Sequence, residues 1–396
     1  MKLNSLSRFK SLKGKRVLLR VDFNIPLGTG KIGPEEMFKL QASVETVAHL
    51  SDLGARTILV SHLGRPKDCE PELSLAPVVR RFAKLLGKKV SFVDGCLEEE
   101  GDAVHKKVEK MKDGDIIALE NIRFYKGEEK NDIFFARRLA SLADVFVNDA
   151  FAVCHRSAAS VVGVAKLLPS AAGLLLEKEV AALSKLLEKP KKPFVVLMSG
   201  MKISSKLPTL KNLLGIADKV MIAGGLGVSC YKALGYGSGL MAISDEDVRL
   251  AKLILKHKNL IIPRDVVVTT HPIGKGKVRV AAVHDIRPNE EVVDIGPETI
   301  RRYAEEIKKA KTIAWNGPVG HFETKMFSHG TLALGRLIAA RSRGRAFGVA
   351  GGGETVTALL GTGMSEWMDH ISTGGGAMLE FLEGKTLPGI KPLLKK

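Results

Sequence analysis

The sequence predicts an α/β fold made of two doubly wound, parallel-sheet domains joined by a helix, and three observations support that prediction. Short apolar runs that end on polar residues alternate with amphipathic stretches, which is the pattern of buried parallel strands covered by helices. The same alternation begins again after residue 190. The chain has 396 residues, about two to three times the usual length of a domain. Two domains with sizeable cores are therefore expected.

The first half contains four apolar runs that predict strands, with a helix between the first two. Leu40, Val44 and Val47 recur at helical spacing, and Gly54 follows as a C-cap. The strands are predicted at "RVLLRVDF" (16–23), "RTILVSH" (56–62), "DIIALEN" (115–121) and "ADVFVND" (143–149).

The segment "LEKEVAALSKLLEK" (176–189) predicts one helix that runs into "PKKP". We expect a first domain over 1–175, this connecting helix over 176–190, and a second domain over 191–379. Strands of the second domain end on small or polar residues, at the edge where an open α/β sheet binds its ligands. They are predicted at "PFVVLMSG" (193–200), "DKVMIAGG" (218–225), "KTIAWNG" (311–317) and "RAFGVAGGG" (345–353).

Composition limits the class of protein. Sixty-one Lys and Arg against 43 Asp and Glu give a formal charge of +18, which suits an anionic ligand or nucleic acid, or else a solvated lysine-rich surface. The cysteines are scattered without a CxxC pair, so neither a zinc site nor a disulfide framework is indicated. No apolar run has the length of a signal peptide or of a membrane span. We therefore expect a cytoplasmic protein without a membrane partner. The cysteines are Cys69, Cys96, Cys154 and Cys230.

The predicted strand ends of the first half carry mainly cations and hydrogen-bond donors. Such a group suits a small acid with phosphate and carboxylate groups, because a guanidinium forms two parallel bonds with either group. A histidine or arginine taken alone is more often a structural residue or a surface ion-pair partner. The polar residues at these ends are Asp22, Asn24, His62, Arg65, Arg123, Asp149, His155 and Arg156.

The strand ends of the second half are rich in glycine, with clusters at 224–225, 351–353 and 374–376. Glycine lets backbone N–H groups approach phosphate oxygens, although tight turns also use it for steric reasons alone. In "SGMKISSK" (199–206), Lys202 and Lys206 are four residues apart and would share one face of a helix. Together these features predict a phosphate-binding edge.

Motifs along nearly the whole chain resemble those of the phosphoglycerate kinase family. They are "RVDFNIP" (20–26), "SHLGRP" (61–66), "LENIRF" (119–124), "VNDAFAVCHRS" (147–157), "SGMKISSK" (199–206), "WNGPVGHFE" (315–323), "GGGET" (351–355) and "HISTGGGAMLEFLEGKTLPG" (370–389). The resemblance implies two Rossmann-like domains facing a cleft, and a C-terminal segment, about 380–396, that packs back on the first. It also implies reversible phosphoryl transfer from 1,3-bisphosphoglycerate to ADP, giving 3-phosphoglycerate and ATP, with Mg²⁺ as cofactor.

The resemblance also implies roles for individual residues. The first domain would bind the glycerate substrate through Asp22, Asn24, His62, Arg65, Arg123, His155 and Arg156. The second would bind nucleotide through Lys206, Gly224, Gly225, Asn316, Glu323, Gly352, Gly353 and Thr355. The transferring phosphoryl group would be contacted by Lys39, Lys202, Gly352 and Gly375, with Gly376 adding a backbone donor beside it. A monomer acting on small molecules is expected.

Four positions depart from the family pattern. Lys39 stands where the family has an arginine, and lysine keeps the charge but loses the planar fork. Glu354 stands where many relatives have the aspartate that binds magnesium, and its extra methylene displaces the carboxylate. Ser199 replaces a usual glycine, and Ala158 replaces a second histidine. We predict a slower enzyme with an altered metal affinity.

Three alternatives belong to other classes of function. A nucleic-acid-binding protein would explain the charge, but aromatic residues make up only 5% of the chain. A nicotinamide dehydrogenase should carry a GxGxxG turn after its first strand, which this sequence lacks. A weakened relative that binds nucleotide as a regulatory protein is the closest rival. Cys154 is expected to be inert, and Trp315 to belong to the core rather than to stack on a base.

Overall fold

A computed structural model describes residues 1–25, 33–94, 97, 103–270 and 275–395. The chain divides into two units, one formed by Met1–Ala181 with Thr386–Lys396 and the other by Ala182–Lys385. The division falls within the helix Leu174–Leu187. Cys96, which entered the cysteine count above, lies outside the described residues. In the part of the chain that is described, no helix has both the length and the apolar character needed to span a membrane.

The first unit is built on a six-stranded parallel sheet in the order β3-β4-β2-β1-β5-β6. Its strands are β1 (Arg16–Arg20), β2 (Arg56–Val60), β3 (Ser91–Val93), β4 (Ile116–Leu119), β5 (Val145–Asn148) and β6 (Ser170–Ala172). Val17 and Leu19 belong to a core on one face of this sheet, and Leu18 belongs to a core on the other face. Continuous apolar strands therefore follow from burial on both faces, as predicted.

Among the described residues, the α-helices that cover this sheet or follow it are α1 (Pro34–Ala42), α2 (Val44–Asp52), α3 (Ala76–Leu86), α4 (Ala103–Glu109), α5 (Ile133–Ser141), α6 (Val164–Leu167) and α7 (Leu174–Leu187). The prediction of one continuous helix through Leu40 and Val47 is wrong. Ser43 lies between α1 and α2, and its N–H bonds to the carbonyl of Leu40, three residues back. Such a tightened turn interrupts the regular α-helical ladder.

The second unit contains a parallel sheet in the order β15-β14-β13-β7-β8-β9. The strands of this unit are β7 (Phe194–Ser199), β8 (Lys219–Ala223), β9 (Leu260–Ile261), β10 (Asp265–Thr270), β11 (Val278–Ala282), β12 (Glu290–Ile295), β13 (Thr312–Asn316), β14 (Phe347–Gly351) and β15 (His370–Ser372). Its helices are α8 (Leu207–Ile216), α9 (Gly225–Ala233), α10 (Asp245–Ile254), α11 (Pro297–Lys309), α12 (His329–Ser342), α13 (Gly353–Gly361) and α14 (Gly376–Leu382).

A separate antiparallel sheet in the order β11-β10-β12 was not anticipated from the sequence. Val266 and Val268 of β10 are fully or almost fully buried and form a core with Tyr231 and Ile286. This sheet therefore has its own hydrophobic cluster within the second unit.

Each parallel sheet has a point where the chain order reverses. In the first sheet β1 continues to β2 on one side, while its other neighbour β5 continues to β6. In the second sheet β7 continues to β8, while its other neighbour β13 continues to β14. Ligands of open α/β sheets bind beyond the carboxyl ends of strands at such switch points. These two edges are where functional residues should be sought.

The last residues of the chain belong to the first unit. The N–H of Asn4 donates to the carbonyl of Leu393 at 2.8 Å, and Leu3 forms a β-bridge with Leu394. The N–H of Gly389 donates to the carbonyl of Cys154, also at 2.8 Å. The C-terminus is thus held by backbone hydrogen bonds at two places in this unit.

Candidate active site

The first switch point carries a buried arginine that the sequence analysis did not select. Arg20, the last residue of β1, is 2% exposed. Its Nε donates to the Ser160 hydroxyl at 3.0 Å, and its guanidinium also donates to the carbonyl of Val21. Ser160 in turn donates to the carboxylate of Glu128 at 2.6 Å. A buried charge needs such partners, because an isolated ion in the interior is very costly.

Arg20 also fixes the protonation pattern of His62. One guanidinium nitrogen lies 3.0 Å from His62 Nδ1. Arginine can only donate hydrogen bonds, so Nδ1 must accept and the imidazole proton must be on Nε2. Burial and three neighbouring arginines hold the pKa of His62 well below its ordinary value. His62 is therefore a neutral side chain whose Nε2–H is available as a donor.

Asp22 and Asn24 follow β1 and lie close to these groups. Asp22 Oδ1 is 3.9 Å from His62 Nδ1. Burial raises the pKa of Asp22, while the cations of Arg20 and Lys39 oppose that rise. Asn24 Oδ1 accepts a hydrogen bond from the N–H of Gly64 at 2.9 Å. That bond ties the loop after β1 to the loop after β2.

Two further arginines complete a positively charged cavity of about 300 Å³. Arg123 donates to the carbonyl of Gly64 at 2.5 Å and lies 3.3 Å from Glu129, which also lies 3.8 Å from Arg156. The cavity is lined by Arg20, Arg123, Arg156 and Ala158, among others. The Glu129 side chain is 62% exposed, so an entering anion can replace it on the two arginines.

Other predicted residues of the first unit stand apart from this cavity. Arg65 is exposed and does not line it, and His155 is half-buried beside Arg156 without lining it. Lys39 lies on α1, where its ammonium forms an ion pair with Glu35 at 2.7 Å. The cation of Lys39 still acts on Asp22, so it lies within electrostatic reach of the site.

The second switch point is organised around Lys206. Its ammonium donates to the carbonyl of Ser199, at the end of β7, at 2.7 Å. It also donates to Asn316 Oδ1, at the end of β13, at 2.5 Å. Burial lowers the pKa of Lys206 to about 8, and the carboxylate of Glu354 acts in the opposite direction. The ammonium of Lys206 is therefore held between the ends of β7 and β13, the two strands at which the chain order reverses.

Lys202 and Lys206 would share one face only if their segment were helical, and it is not. Helix α8 begins at Leu207, with Lys206 as its N-cap, and the preceding residues form turns. Pro208 lies in the first turn of α8, where its missing N–H is tolerated. Lys202 is exposed and does not share the contacts of Lys206.

Glycines at this edge meet a strict steric requirement. Gly352 has φ +100°, and a Cβ there would lie 2.9 Å from Asn316 Nδ2. Gly224 has φ +62°, and a Cβ on Gly225 would lie only 2.1 Å from the carbonyl oxygen of Met201. Glycine adopts the positive φ of Gly352 and Gly224 without strain, and at Gly225 it permits the close approach of the Met201 carbonyl. The two turns precede helices α13 and α9, whose first N–H groups are free of intrahelical partners.

Thr355 and Asn316 connect these turns. Thr355 accepts a hydrogen bond from the N–H of Gly317 at 2.7 Å, and Asn316 donates to the carbonyl of Gly351 at 2.8 Å. The predicted residues Gly353, Glu354 and Gly375 lie at the starts of α13 and α14, and Glu354 is exposed. Glu323 is exposed in the loop after β13. Within the described residues, no three carboxylate, histidine or cysteine side chains cluster as metal ligands.

Two expectations about reactive or aromatic residues are confirmed. Cys154 is fully buried, and burial raises the pKa of its thiol to about 12, so it is not a nucleophile. Trp315 is fully buried, and its Nε1–H donates to the carbonyl of Gly317 at 2.9 Å. Trp315 therefore belongs to the core.

Comparison with known proteins gives the family. The sequence model of the phosphoglycerate kinase family matches residues 6–385. The phosphoglycerate kinase of Dictyoglomus turgidum is 44% identical over 394 residues, covering 98% of each chain. That of Pelotomaculum thermopropionicum is 45% identical over 391 residues, covering 97% of this chain and 98% of the other. The solved phosphoglycerate kinase of Coxiella burnetii has a TM-score of 0.86 at 39% identity, over 99% of both chains. The chain therefore belongs to the phosphoglycerate kinase family.

Proposed function

We propose that this chain transfers a phosphoryl group reversibly between 1,3-bisphosphoglycerate and ADP, with its first unit holding the three-carbon acid and its second unit the nucleotide. The observation that carries the assignment of the two ligands is the contrast between the two switch points. Guanidinium groups line the first, whereas one lysine and glycine-rich helix starts form the second.

In the first unit, Arg123 and Arg156 bind the phosphate or carboxylate of the acid by displacing Glu129. Guanidinium forks match both groups, and a partly desolvated site strengthens such bonds. His62 donates from Nε2 as a neutral side chain, since Nδ1 is occupied by Arg20. Asp22 and Asn24 bind the hydroxyl end of the acid. Arg65 and His155 contribute at the exposed rim.

In the second unit, Lys206 binds the nucleotide phosphates by exchanging its contacts with Ser199 and Asn316 for phosphate oxygens. A bound polyphosphate raises the pKa of Lys206 back toward its ordinary value, because an adjacent anion favours the charged form. Lys202 and the backbone N–H groups of Gly352, Gly353 and Gly375 contact the transferring group. Gly224, Gly225, Asn316, Glu323 and Thr355 complete the nucleotide contacts.

The residues present suit a magnesium ion that arrives with the nucleotide. Mg²⁺ keeps several waters and usually takes one or two carboxylates together with substrate phosphates. Glu354 is an exposed carboxylate in the first turn of α13, next to the Gly352 turn, and we propose that it holds the ion. The ion would neutralise phosphate charge during transfer.

The chemistry requires positioning rather than a general base. In the direction that makes ATP, the bond between the acyl oxygen and phosphorus breaks, and a bond forms between phosphorus and an already ionised oxygen of ADP. The carboxylate leaves with the electron pair, so no proton is transferred. Cations and N–H donors lower the barrier by stabilising the equatorial oxygens. This agrees with the several cations found at the two switch points.

A coupled assay tests the proposal. The purified chain would receive 3-phosphoglycerate and Mg-ATP, and formation of the acyl phosphate would be read through a reductase that consumes it. Turnover well above that of a Lys202→Ala variant is expected. Nucleotide binding by calorimetry with no turnover above that variant would instead identify a regulatory binding protein.

A further inference from the structure

A second concentration of positive charge lies at the opposite edge of the second unit's parallel sheet. It surrounds a cavity of about 920 Å³, within the range typical of small-molecule sites. The cations that line it are Lys185, Lys189, Lys191, Lys192, Lys311 and Arg345. Its one acidic lining residue, Asp369, accepts a hydrogen bond from the N–H of Gly348 at 2.8 Å.

The cavity is separate from the proposed nucleotide site. It is bordered by Thr312 and Phe347, the first residues of β13 and β14, and it adjoins the start of β7. Asn316 ends β13 at the other edge. Five strand residues span about 13 Å, so one ligand of ordinary size does not occupy both places.

Most of these cations lack a counter-charge. Lys192 forms an ion pair with Asp218 at 3.3 Å, and Lys185 lies over the ring of Phe347 at 4.8 Å. Within the described part of the chain, no carboxylate forms an ion pair with Lys189, Lys191, Lys311 or Arg345. Four like charges around one concavity repel each other unless an anion joins them.

We propose that this cavity binds a small oligophosphate, a compact anion with several adjacent phosphate groups. Five of the six cations are lysines, whose point-like ammonium groups suit phosphate oxygens without demanding planar carboxylate geometry. Several separated cations favour a multivalent ligand over a single carboxylate. Phe347, the lining aromatic ring, is already covered by Lys185, so it offers no free platform for stacking the bases of a nucleic acid.

The test uses the full chain with sodium tripolyphosphate as the probe, and it needs no turnover. Calorimetry would compare the wild type with a Lys191→Glu/Arg345→Glu variant, because both side chains are exposed and make no described contacts. The matched control is Arg249→Glu/Lys258→Glu, which changes the net charge equally at exposed positions outside the cavity. Hydrogen–deuterium exchange would locate the bound probe.

Tripolyphosphate should bind the cavity variant about tenfold more weakly and the control within about twofold of wild type. Slowed exchange at 189–192 and 344–347 in the wild type should disappear in the cavity variant, while kinase turnover is unchanged in both. Equal weakening in both variants would show a general charge effect and overturn the proposal. Slowed exchange only around Lys206 and Gly352 would also overturn the proposal. So would the binding of a 20-base-pair DNA that tripolyphosphate cannot displace from the protein.

Discussion

The two units present the same feature, the carboxyl edge of a parallel sheet at its switch point, but charge it in different ways. In the first unit the charge is on side chains, and the buried guanidinium of Arg20 is balanced through Ser160 by Glu128. In the second unit, the starts of helices α9 and α13, which follow glycine turns, supplement Lys206. The first arrangement depends on a network of charged partners, and the second depends on backbone shape.

This contrast predicts different weaknesses. A charge network fails when one member is removed, because its partner is left buried and unpaired. A backbone cradle tolerates many side-chain changes but not a Cβ at Gly225, which would meet Met201. Substitutions in the first unit should therefore affect folding and activity together. In the second unit a single lysine can be removed with loss of activity alone.

The largest effect is expected from Lys206→Ala. Removing one cation that stabilises the transferring and bound phosphates should lower kcat/KM for ATP by about 10² to 10³. The free energy of unfolding should change little, because the lost ammonium is only partly buried and its pKa is already lowered by desolvation. Steady-state kinetics and urea unfolding measure the two quantities. Lys211→Ala, an exposed position on α8, is the control, and an equal loss there would remove Lys206 from the site.

Arg20→Met should lower the free energy of unfolding by about 3 kcal/mol, because Glu128 becomes a buried carboxylate without its compensating cation. Burial already raises the pKa of Glu128, and Arg20 opposes that rise. Adding Glu128→Gln should recover part of the lost stability. Nitrogen-15 spectra of His62 should show the Nε2–H tautomer in the wild type and a mixture in Arg20→Met. A wild-type ring protonated on Nδ1 would contradict the arrangement deduced here.

The sequence predicted the parallel sheets well because buried strands leave an unbroken apolar signal. It also selected most polar residues at the strand ends. Arg20 was missed because it interrupts the apolar run "RVLLRVDF". A charged residue at such a place looks like the solvent-exposed end of the strand. Only the fold brings Ser160 and His62 to it. A charged residue within a buried strand is the signal that could have identified it.

Other features depended on tertiary context. The two-residue strand β9 is too short to leave a pattern, and only Ala281 of the edge strand β11 is buried. The spacing of Lys202 and Lys206 fits a helix, yet α8 begins only at Leu207. The ammonium of Lys206 instead contacts Ser199 and Asn316, which are distant in sequence.

A buried carboxyl group in each unit predicts that stability depends on pH. Burial raises the pKa of Asp294 from 3.8 to about 7, so the folded state keeps a proton that the unfolded state has released. Stability should therefore fall as pH rises through this window, by about 2 kcal/mol between pH 5.5 and 7. Trp315 and Trp367 both lie in the second unit, so urea unfolding followed by tryptophan fluorescence reports on it.

Asp294→Asn should flatten that pH dependence, even though losing one acceptor lowers stability overall. Glu305→Gln on the exposed side of α11 should leave it unchanged. In the first unit, burial raises the pKa of Asp149 to about 7 in the same way. Asp149→Asn should flatten the pH dependence of the stability measured by circular dichroism. It should leave the pH dependence measured by tryptophan fluorescence unchanged. If Asp294→Asn leaves the slope of stability against pH unchanged, the carboxyl of Asp294 is already ionised in the folded protein and the prediction is wrong.

The smallest effect is expected at Lys39, where the sequence analysis predicts a departure from the family pattern. Lysine keeps the charge that opposes the burial-driven rise in the pKa of Asp22, but it cannot form the two parallel bonds of a guanidinium. Lys39→Arg should therefore raise kcat about threefold while leaving the KM for ATP unchanged, because the residue lies in the unit proposed to bind the acid. Glu35→Gln is the control, since it frees Lys39 from its ion pair at 2.7 Å without adding a fork. An unchanged or lower kcat in Lys39→Arg would remove this residue from the transfer step.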